Sequence, residues 1–137
     1  MKRYSWTAVM ILSAVLASCS GEGPQGPRAG ELSVQLQGPS SGERAIMFDL
    51  TGPAQAISAA SQTLIAMVDT LAVDSLRIAI FAPRGVTIAA GEVARIRVEN
   101  VCASARYHVG IVEVAGSDYA LEPSSGYVLS VRAGPGC

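Results

Sequence analysis

The stretch that decides the class of fold is IMFDLT, residues 46–51. Its large apolar residues Ile46, Phe48 and Leu50 occupy every second position, so they share one side of an extended chain. A period of two residues is typical of a β-strand that buries one face and exposes the other. We therefore predict a half-buried strand here, with Ile46, Phe48 and Leu50 directed into a core.

The same alternation recurs outward from this strand in both directions. It is seen in residues 32–37, 76–80, 94–99, 107–111 and 127–131, with turn signals rich in Gly, Pro and Ser between the runs. Short strands separated by frequent turn signals predict an all-β sandwich or barrel with antiparallel strands. A short strand is also expected near residues 56–58.

One segment, residues 54–73, is ambiguous because it is rich in Ala, Ser and Leu. It could hold a helical turn, but residues 63–68 are better interpreted as a strand.

The residues from Glu31 to Cys137 form one domain by length, since 107 residues can bury a core without metal ions. From Cys19 onward the chain has eight arginines, no lysine and eleven acidic residues, a net charge of −3. Such a domain has no basic stripe, which argues against nucleic acid and against anionic lipid headgroups as its ligand.

The N-terminal 18 residues have the order of a secretory signal. Lys2 and Arg3 precede an uncharged, mostly apolar run at residues 6–16, which is too short to cross a bilayer as a helix. The next residues, LASC at 16–19, resemble a bacterial lipobox. The resemblance implies cleavage after residue 18 and acylation of Cys19, although an ordinary signal peptide with a nearby cysteine would look similar.

The residue after the cysteine bears on the destination. It is Ser20 rather than the Asp that commonly retains lipoproteins at the inner membrane, so the outer membrane is the expected location. Residues 20–30 are then rich in Gly and Pro and contain no apolar residue larger than Ala, which predicts that residues 19–30 form a flexible tether between the lipid and the domain.

The order of the predicted strands resembles that of cohesin domains, within the wider group of carbohydrate-binding-module-like sandwiches. The similarity spans residues 32–131 and includes the phrases FDL at 48–50, LRIAIF at 76–81 and VEVAG at 112–116. It implies an antiparallel jelly-roll sandwich of about nine strands. Cohesins bind dockerin modules through one sheet face, but no known dockerin-contact signature is present here.

Few residues are candidates for chemistry, and we expect no enzyme and no cofactor. His108 is the only histidine, and no nucleophile elbow or zinc motif accompanies it, so we interpret it as a solvated strand residue. Asp69 and Asp74 lie five residues apart near a predicted turn, but they lack the ordered oxygen ligands of a calcium loop. No metal site is expected.

Two further features concern ligands and covalent structure. Tyr119 follows a turn signal and is the tyrosine that we expect to be exposed, as a contact for a ligand such as polysaccharide. Cys102 and Cys137 remain once Cys19 is committed to lipid, and in an oxidising compartment they are expected to pair. The alternative is two free thiols. In the expected sandwich both cysteines leave the same end of one sheet, two strands apart.

These observations indicate a lipid-anchored envelope or surface lipoprotein whose sandwich is a non-catalytic protein-interaction module. The alternatives are a carbohydrate-binding lipoprotein and a structural accessory of an envelope assembly. A row of exposed aromatic side chains would favour the first alternative, and a large exposed apolar patch would favour the second.

Overall fold

A computed structural model describes residues 26–39, 42–134 and 137. Nine strands account for most of these residues. They are β1 (Gly30–Gln37), β2 (Ala45–Thr51), β3 (Ala56–Ala59), β4 (Ile65–Ala72), β5 (Ser75–Phe81), β6 (Gly91–Val98), β7 (His108–Ala115), β8 (Leu121–Glu122) and β9 (Val128–Arg132). Short 3₁₀ helices at Val101–Arg106 and Ser124–Gly126 precede β7 and β9.

The strands form two antiparallel sheets that pack face to face. The four-stranded sheet has the order β3-β6-β1-β9, and the five-stranded sheet has the order β4-β5-β2-β7-β8. The prediction of an all-β sandwich with about nine strands is therefore confirmed. Strands that neighbour each other in space are mostly distant in sequence, because successive strands often cross from one sheet to the other.

The core lies between the sheets and follows the predicted alternation. Ile46, Phe48 and Leu50 of β2 are each at most 1 % exposed. Their partners across the ladder in β5 include Ile78 and Ile80, which are fully buried. Side chains directly opposite each other in a ladder share a face, so β2 and β5 present one continuous apolar surface to the other sheet.

The structure differs from the sequence prediction at two segments. Residues 54–73 hold a strand, as preferred over a helical turn, but the strand expected at 63–68 is β4, Ile65–Ala72. The shift arises because β4 is exposed on both faces over most of its length, so burial does not mark its bounds. The predicted tether also ends early: Gly30 already belongs to β1, and the N–H of Val101 donates to the carbonyl of Arg28 at 2.8 Å.

A buried tyrosine closes the end of the sandwich at which β1 begins. Tyr107 directly precedes β7, and its hydroxyl donates to the carbonyl of Pro53 at 3.0 Å. The ring lies against Gly52, where a Cβ would come within 2.6 Å of it and where φ is +136°, so only glycine fits. Burial raises the pKa of the Tyr107 hydroxyl. Because Cys102 and Cys137 also lie here, we call this the disulfide end.

A second buried tyrosine closes the opposite end. Tyr127 directly precedes β9, and its ring lies against Gly38 at the end of β1. Its hydroxyl is 3.0 Å from Glu43 Oε1 and 2.5 Å from Glu122 Oε2. Burial, together with hydrogen bonds to the two carboxylates, raises the pKa of Tyr127. We call this the carboxylate end.

Candidate functional site

The outer face of the five-stranded sheet carries an apolar surface at the carboxylate end. Strand pairing places one outward residue from each of its five strands in a single row across the sheet: Ile65, Phe81, Ala45, Ala115 and Leu121. Ile65 is 53 % exposed and Leu121 is 67 % exposed. A whole row of apolar residues thus faces solvent, where an outer sheet face is ordinarily polar.

A second row behind the first extends this surface toward the middle of the sheet. It consists of Met67, Ala79 and Met47 on β4, β5 and β2, and it ends at Glu113 on β7, which belongs to the charged border described next. Two shallow depressions lie among these side chains, one toward Leu121 and one toward Met67. The two rows together are called the apolar face below.

Charged residues border the apolar face in the third row. Arg77 makes a bidentate ion pair with Asp49, with Nε–Oδ1 and Nη2–Oδ2 distances of 2.8 and 2.9 Å. The hydrogen bond from Arg77 holds the pKa of Asp49 below its usual value, and the pair with Asp49 raises the pKa of Arg77. On β4, Asp69 lies opposite Arg77, and its negative charge also raises the pKa of Arg77. With Glu113, this border is acidic overall.

The outer face of the four-stranded sheet is polar instead. Ser33 Oγ donates to Glu92 Oε2 at 2.7 Å, and Arg95 Nε donates to Glu92 Oε1 at 2.7 Å. Gln35 extends the network by donating to Ser33 Oγ. The hydrogen bond from Ser33, followed by that from Arg95, lowers the pKa of Glu92. The centre of this face is thus built from polar side chains that hydrogen-bond to one another, in contrast to the apolar rows of the other sheet.

Tyr119 is 61 % exposed, in the turn between β7 and β8. Its φ of 63° is in the left-handed region, and the turn is supported by the N–H of Ala120, which donates to Asp118 Oδ1 at 3.0 Å. The Arg44 guanidinium lies 5.8 Å from the ring centroid, a cation–π arrangement that covers one ring face. Tyr119 therefore lies at the carboxylate end, as does the first apolar row.

Cys102 and Cys137 are joined by a disulfide bond with a Cα–Cα distance of 5.3 Å. Cys102 lies just after β6 in the 3₁₀ helix, whose first turn is capped by Asn100 Oδ1 accepting from the N–H of Cys102. Cys137 follows β9. Since β6 and β9 both flank β1, the bridge spans the end of three strands of the four-stranded sheet.

The remaining sequence candidates are not brought together. His108 is an exposed residue at the start of β7, opposite Thr51. Asp69 belongs to the charged border of the apolar face, whereas Asp74 lies in the β4–β5 turn with φ of 55°. Within residues 26–39, 42–134 and 137, no three His, Cys, Asp or Glu side chains form a group that could hold a metal ion.

The expected lipidation residue, Cys19, and the signal sequence at 1–18 lie outside the described residues. In the part of the chain that the structure describes, no helix has the length and apolar character needed to span a membrane.

Sequence reasoning missed the apolar face. The available signal was that Ala45, Met47, Ala79 and Phe81 stand at outward positions of strands whose inward positions are also apolar. What could not be read was the order of the strands, which places residues from five separate segments side by side. Comparison of the chain with protein-family models, with curated proteins and with solved structures finds no match.

Proposed function

We propose that this chain is an exported lipoprotein, anchored through Cys19, whose sandwich binds a partner protein without catalysis. The observation that carries the proposal is the apolar face, in which Ile65, Met67, Phe81 and Leu121 are exposed together on one side of one sheet. Exposed contiguous apolar surface on a soluble domain marks an interaction site. The resemblance to cohesin domains, which bind proteins through a sheet face, agrees with this use.

The composition of the face suits a protein partner. Protein interfaces combine an apolar centre, in which Met and aromatic residues are enriched, with a polar rim. Here the centre contains Met47, Met67 and Phe81, and the rim contains Asp49 and Asp69 with Arg77 between them. Because the rim is acidic overall, we expect the partner to present an apolar patch bordered by basic side chains.

The position of the apolar face supports the anchoring proposal. Residues 26–29 lead into β1 at the disulfide end, and the first apolar row lies at the carboxylate end. A tether attached to lipid at Cys19 would therefore hold the domain from one end and leave the binding rows at the other. The expected site is the outer membrane, with the apolar face accessible to another envelope or secreted protein.

The anchor is tested by Cys19→Ala in the full chain, expressed in a bacterial host with radiolabelled palmitate. We expect label in the parent protein and in the matched control Cys102→Ala, and none in Cys19→Ala, which should also keep its signal sequence. Labelled Cys19→Ala protein, or maturation at the same position as in the parent, would contradict the proposal.

The binding surface is tested by Leu121→Glu, with Val128→Glu as the control on the outer face of the other sheet. The two side chains are 67 % and 58 % exposed, so both substitutions should leave the fold intact. Proteins captured by the tagged full chain from its own envelope should be lost with Leu121→Glu and kept with Val128→Glu. Equal capture by both variants would show that the apolar face is not the interface.

The second candidate is carbohydrate binding, which the exposure of Tyr119 favours. Affinity electrophoresis through gels containing envelope polysaccharides tests it. Retardation of the parent protein, abolished by Tyr119→Ala and retained in Leu121→Glu, would make carbohydrate the ligand in place of a protein.

A further inference from the structure

Four strands form the edges of the two sheets, and one of them differs from the rest. β8 has two residues, β3 has four and β9 has five, whereas β4 has eight. A short edge strand is a common protection against pairing with another chain, because it offers few free backbone groups. Among the described residues, β4 is the only long edge.

β4 has little else that protects an edge, apart from an irregularity in its ladder between Thr70 and Ala72. Its sequence, IAMVDTLA, contains no Lys, Pro or Gly, and its single charge is Asp69. In the described part of the chain, residues 65–72 make no backbone hydrogen bond outside their ladder with β5. The N–H and C=O groups on the outer edge of β4 are therefore available to another strand.

The inward side chains of β4 are unusually exposed. Val68 lies opposite Ile78 and so points toward the interior of the sandwich, yet Val68 is 47 % exposed while Ile78 is fully buried. Leu71, at the irregularity near the end of β4, is 46 % exposed. The strand at the same edge of the facing sheet is β3, which has only four residues. It is therefore too short to cover the whole inner side of β4.

We propose that β4 pairs with β4 of a second copy of this chain, related by a two-fold axis, to form one continuous ten-stranded sheet. An antiparallel strand edge is complementary to itself under a two-fold rotation. The same rotation, with its axis at Val68, places Val68 of each copy beside Val68 of the other, which covers part of the exposed inner side of β4. This interface is separate from the partner surface proposed above, since it uses the edge and inner side of β4.

The charge pattern of β4 favours a second copy over a foreign strand. With one charge in eight residues, the edge carries little by which one foreign strand could be selected from others. Pairing with itself requires only that the two Asp69 carboxylates do not meet directly. A register centred on Val68 meets this condition, because it places Asp69 of each copy opposite Met67 of the other.

Pairing through β4 would also bring the apolar faces of the two copies onto the same side of one sheet. Because the two β4 strands are antiparallel, the second apolar row of each copy, which ends at Met67, would meet Asp69 and the charged border of the other copy. A pair would therefore present two separate apolar faces, each available to its own partner protein. This consequence rests on the proposed function, whereas the pairing itself does not.

The test uses the full chain, exported from a bacterial host as two co-expressed copies with different peptide tags. Val68 is replaced by the photoreactive residue benzoylphenylalanine, which keeps an apolar side chain at this position. Irradiation should give a product of twice the chain mass that carries both tags. The same replacement at Val128, an exposed residue on the β9 edge, should give at least tenfold less of this product.

A second measurement guards against a crosslinker artefact. Val68→Lys should lower the co-purification of the two tagged copies at least tenfold, and Val128→Lys should leave it unchanged. Crosslinks from position 68 to a protein of different mass, or none at all, would overturn the proposal, as would undiminished co-purification of Val68→Lys. Leu121→Glu should keep the doubled product, so the dimer and the partner surface can fail independently.

Discussion

The two ends of the sandwich are closed by the same local arrangement, with different chemistry at its centre. At each end a 3₁₀ helix is followed by a buried tyrosine whose N–H bonds to the carbonyl three residues earlier, and whose ring lies on a glycine. At the disulfide end the hydroxyl of Tyr107 meets a neutral carbonyl. At the carboxylate end the hydroxyl of Tyr127 meets Glu43 and Glu122.

The two ends are therefore stabilised by different interactions. The disulfide end is held by a covalent bond and by the uncharged side chain of Tyr107, so its stability depends on redox conditions. The carboxylate end has no disulfide among the described residues, and it is held by hydrogen bonds to carboxylates, which are roughly twice as strong as neutral ones. Its stability should therefore depend on the ionisation of Tyr127.

The two ends share one hydrophobic core, and a substitution in that core should have the largest effect on stability. Ile78 is fully buried in β5, so Ile78→Asp should lower the free energy of unfolding by about 4 kcal/mol or more. Arg77→Asp, one residue away on the outer face, should cost much less. Thermal denaturation measures both variants, and equal melting temperatures would show that the assigned register is wrong.

Reduction of the disulfide should have the next largest effect. A bridge that closes a 35-residue separation stabilises the domain by about 3 to 4 kcal/mol, chiefly by restricting the unfolded chain. The melting temperature should then fall by about 15 °C. Amide exchange should rise first around Cys102 and the end of β9 at Arg132, and remain unchanged near Tyr127. Uniform loss of protection at both ends would contradict the assignment of separate supports.

Removal of each tyrosine hydroxyl compares the two ends directly. Tyr127→Phe removes the single hydroxyl donor that Glu43 and Glu122 share and should lower the free energy of unfolding by about 2 kcal/mol. Tyr107→Phe removes one bond to a carbonyl and should cost about 1 kcal/mol. Urea denaturation of the oxidised protein gives both values. The reverse order would mean that the carboxylates do not support their end.

The smallest expected effect is a difference in alkaline stability. Both tyrosines have raised pKa values when folded, so their contribution is complete below the unfolded pKa of about 10 and is lost as the pH rises above it. The larger shift is at Tyr127. Short measurements between pH 9 and pH 11.5 should therefore show a shallower decline for Tyr127→Phe than for Tyr107→Phe. If stability declined equally with pH in both variants, groups other than Tyr127 would be responsible for the loss of stability at alkaline pH.

Much of the fold was predictable because one face of most strands is buried. Ile46, Phe48 and Leu50 alternate so regularly that the face of β2 follows from the sequence alone. The bounds of β4 did not follow, since a strand exposed on both faces has no reason to alternate. The order of the strands could not be read either, because pairing between distant segments leaves no local signal.

The candidate site shows the same division. The exposure of Tyr119 could be predicted from a local turn signal, and the pairing of Cys102 with Cys137 from the number of cysteines and the expected compartment. The apolar face could not, because Ile65, Phe81 and Leu121 become neighbours only through sheet order. The two carboxylates around Tyr127 were missed for the same reason.

The place of β1 in its sheet has a mechanical consequence for the lipid anchoring proposed above. β1 lies between β6 and β9 and pairs with β6 from Gly30 to Leu36 and with β9 from Ser33 to Gln37. A pull on the tether, resisted by a partner bound at the far end, acts along the axis of β1. Both ladders then bear the force in shear, with all their hydrogen bonds loaded together. The domain should therefore resist extraction far better than if its tether led into an edge strand that could be unzipped bond by bond.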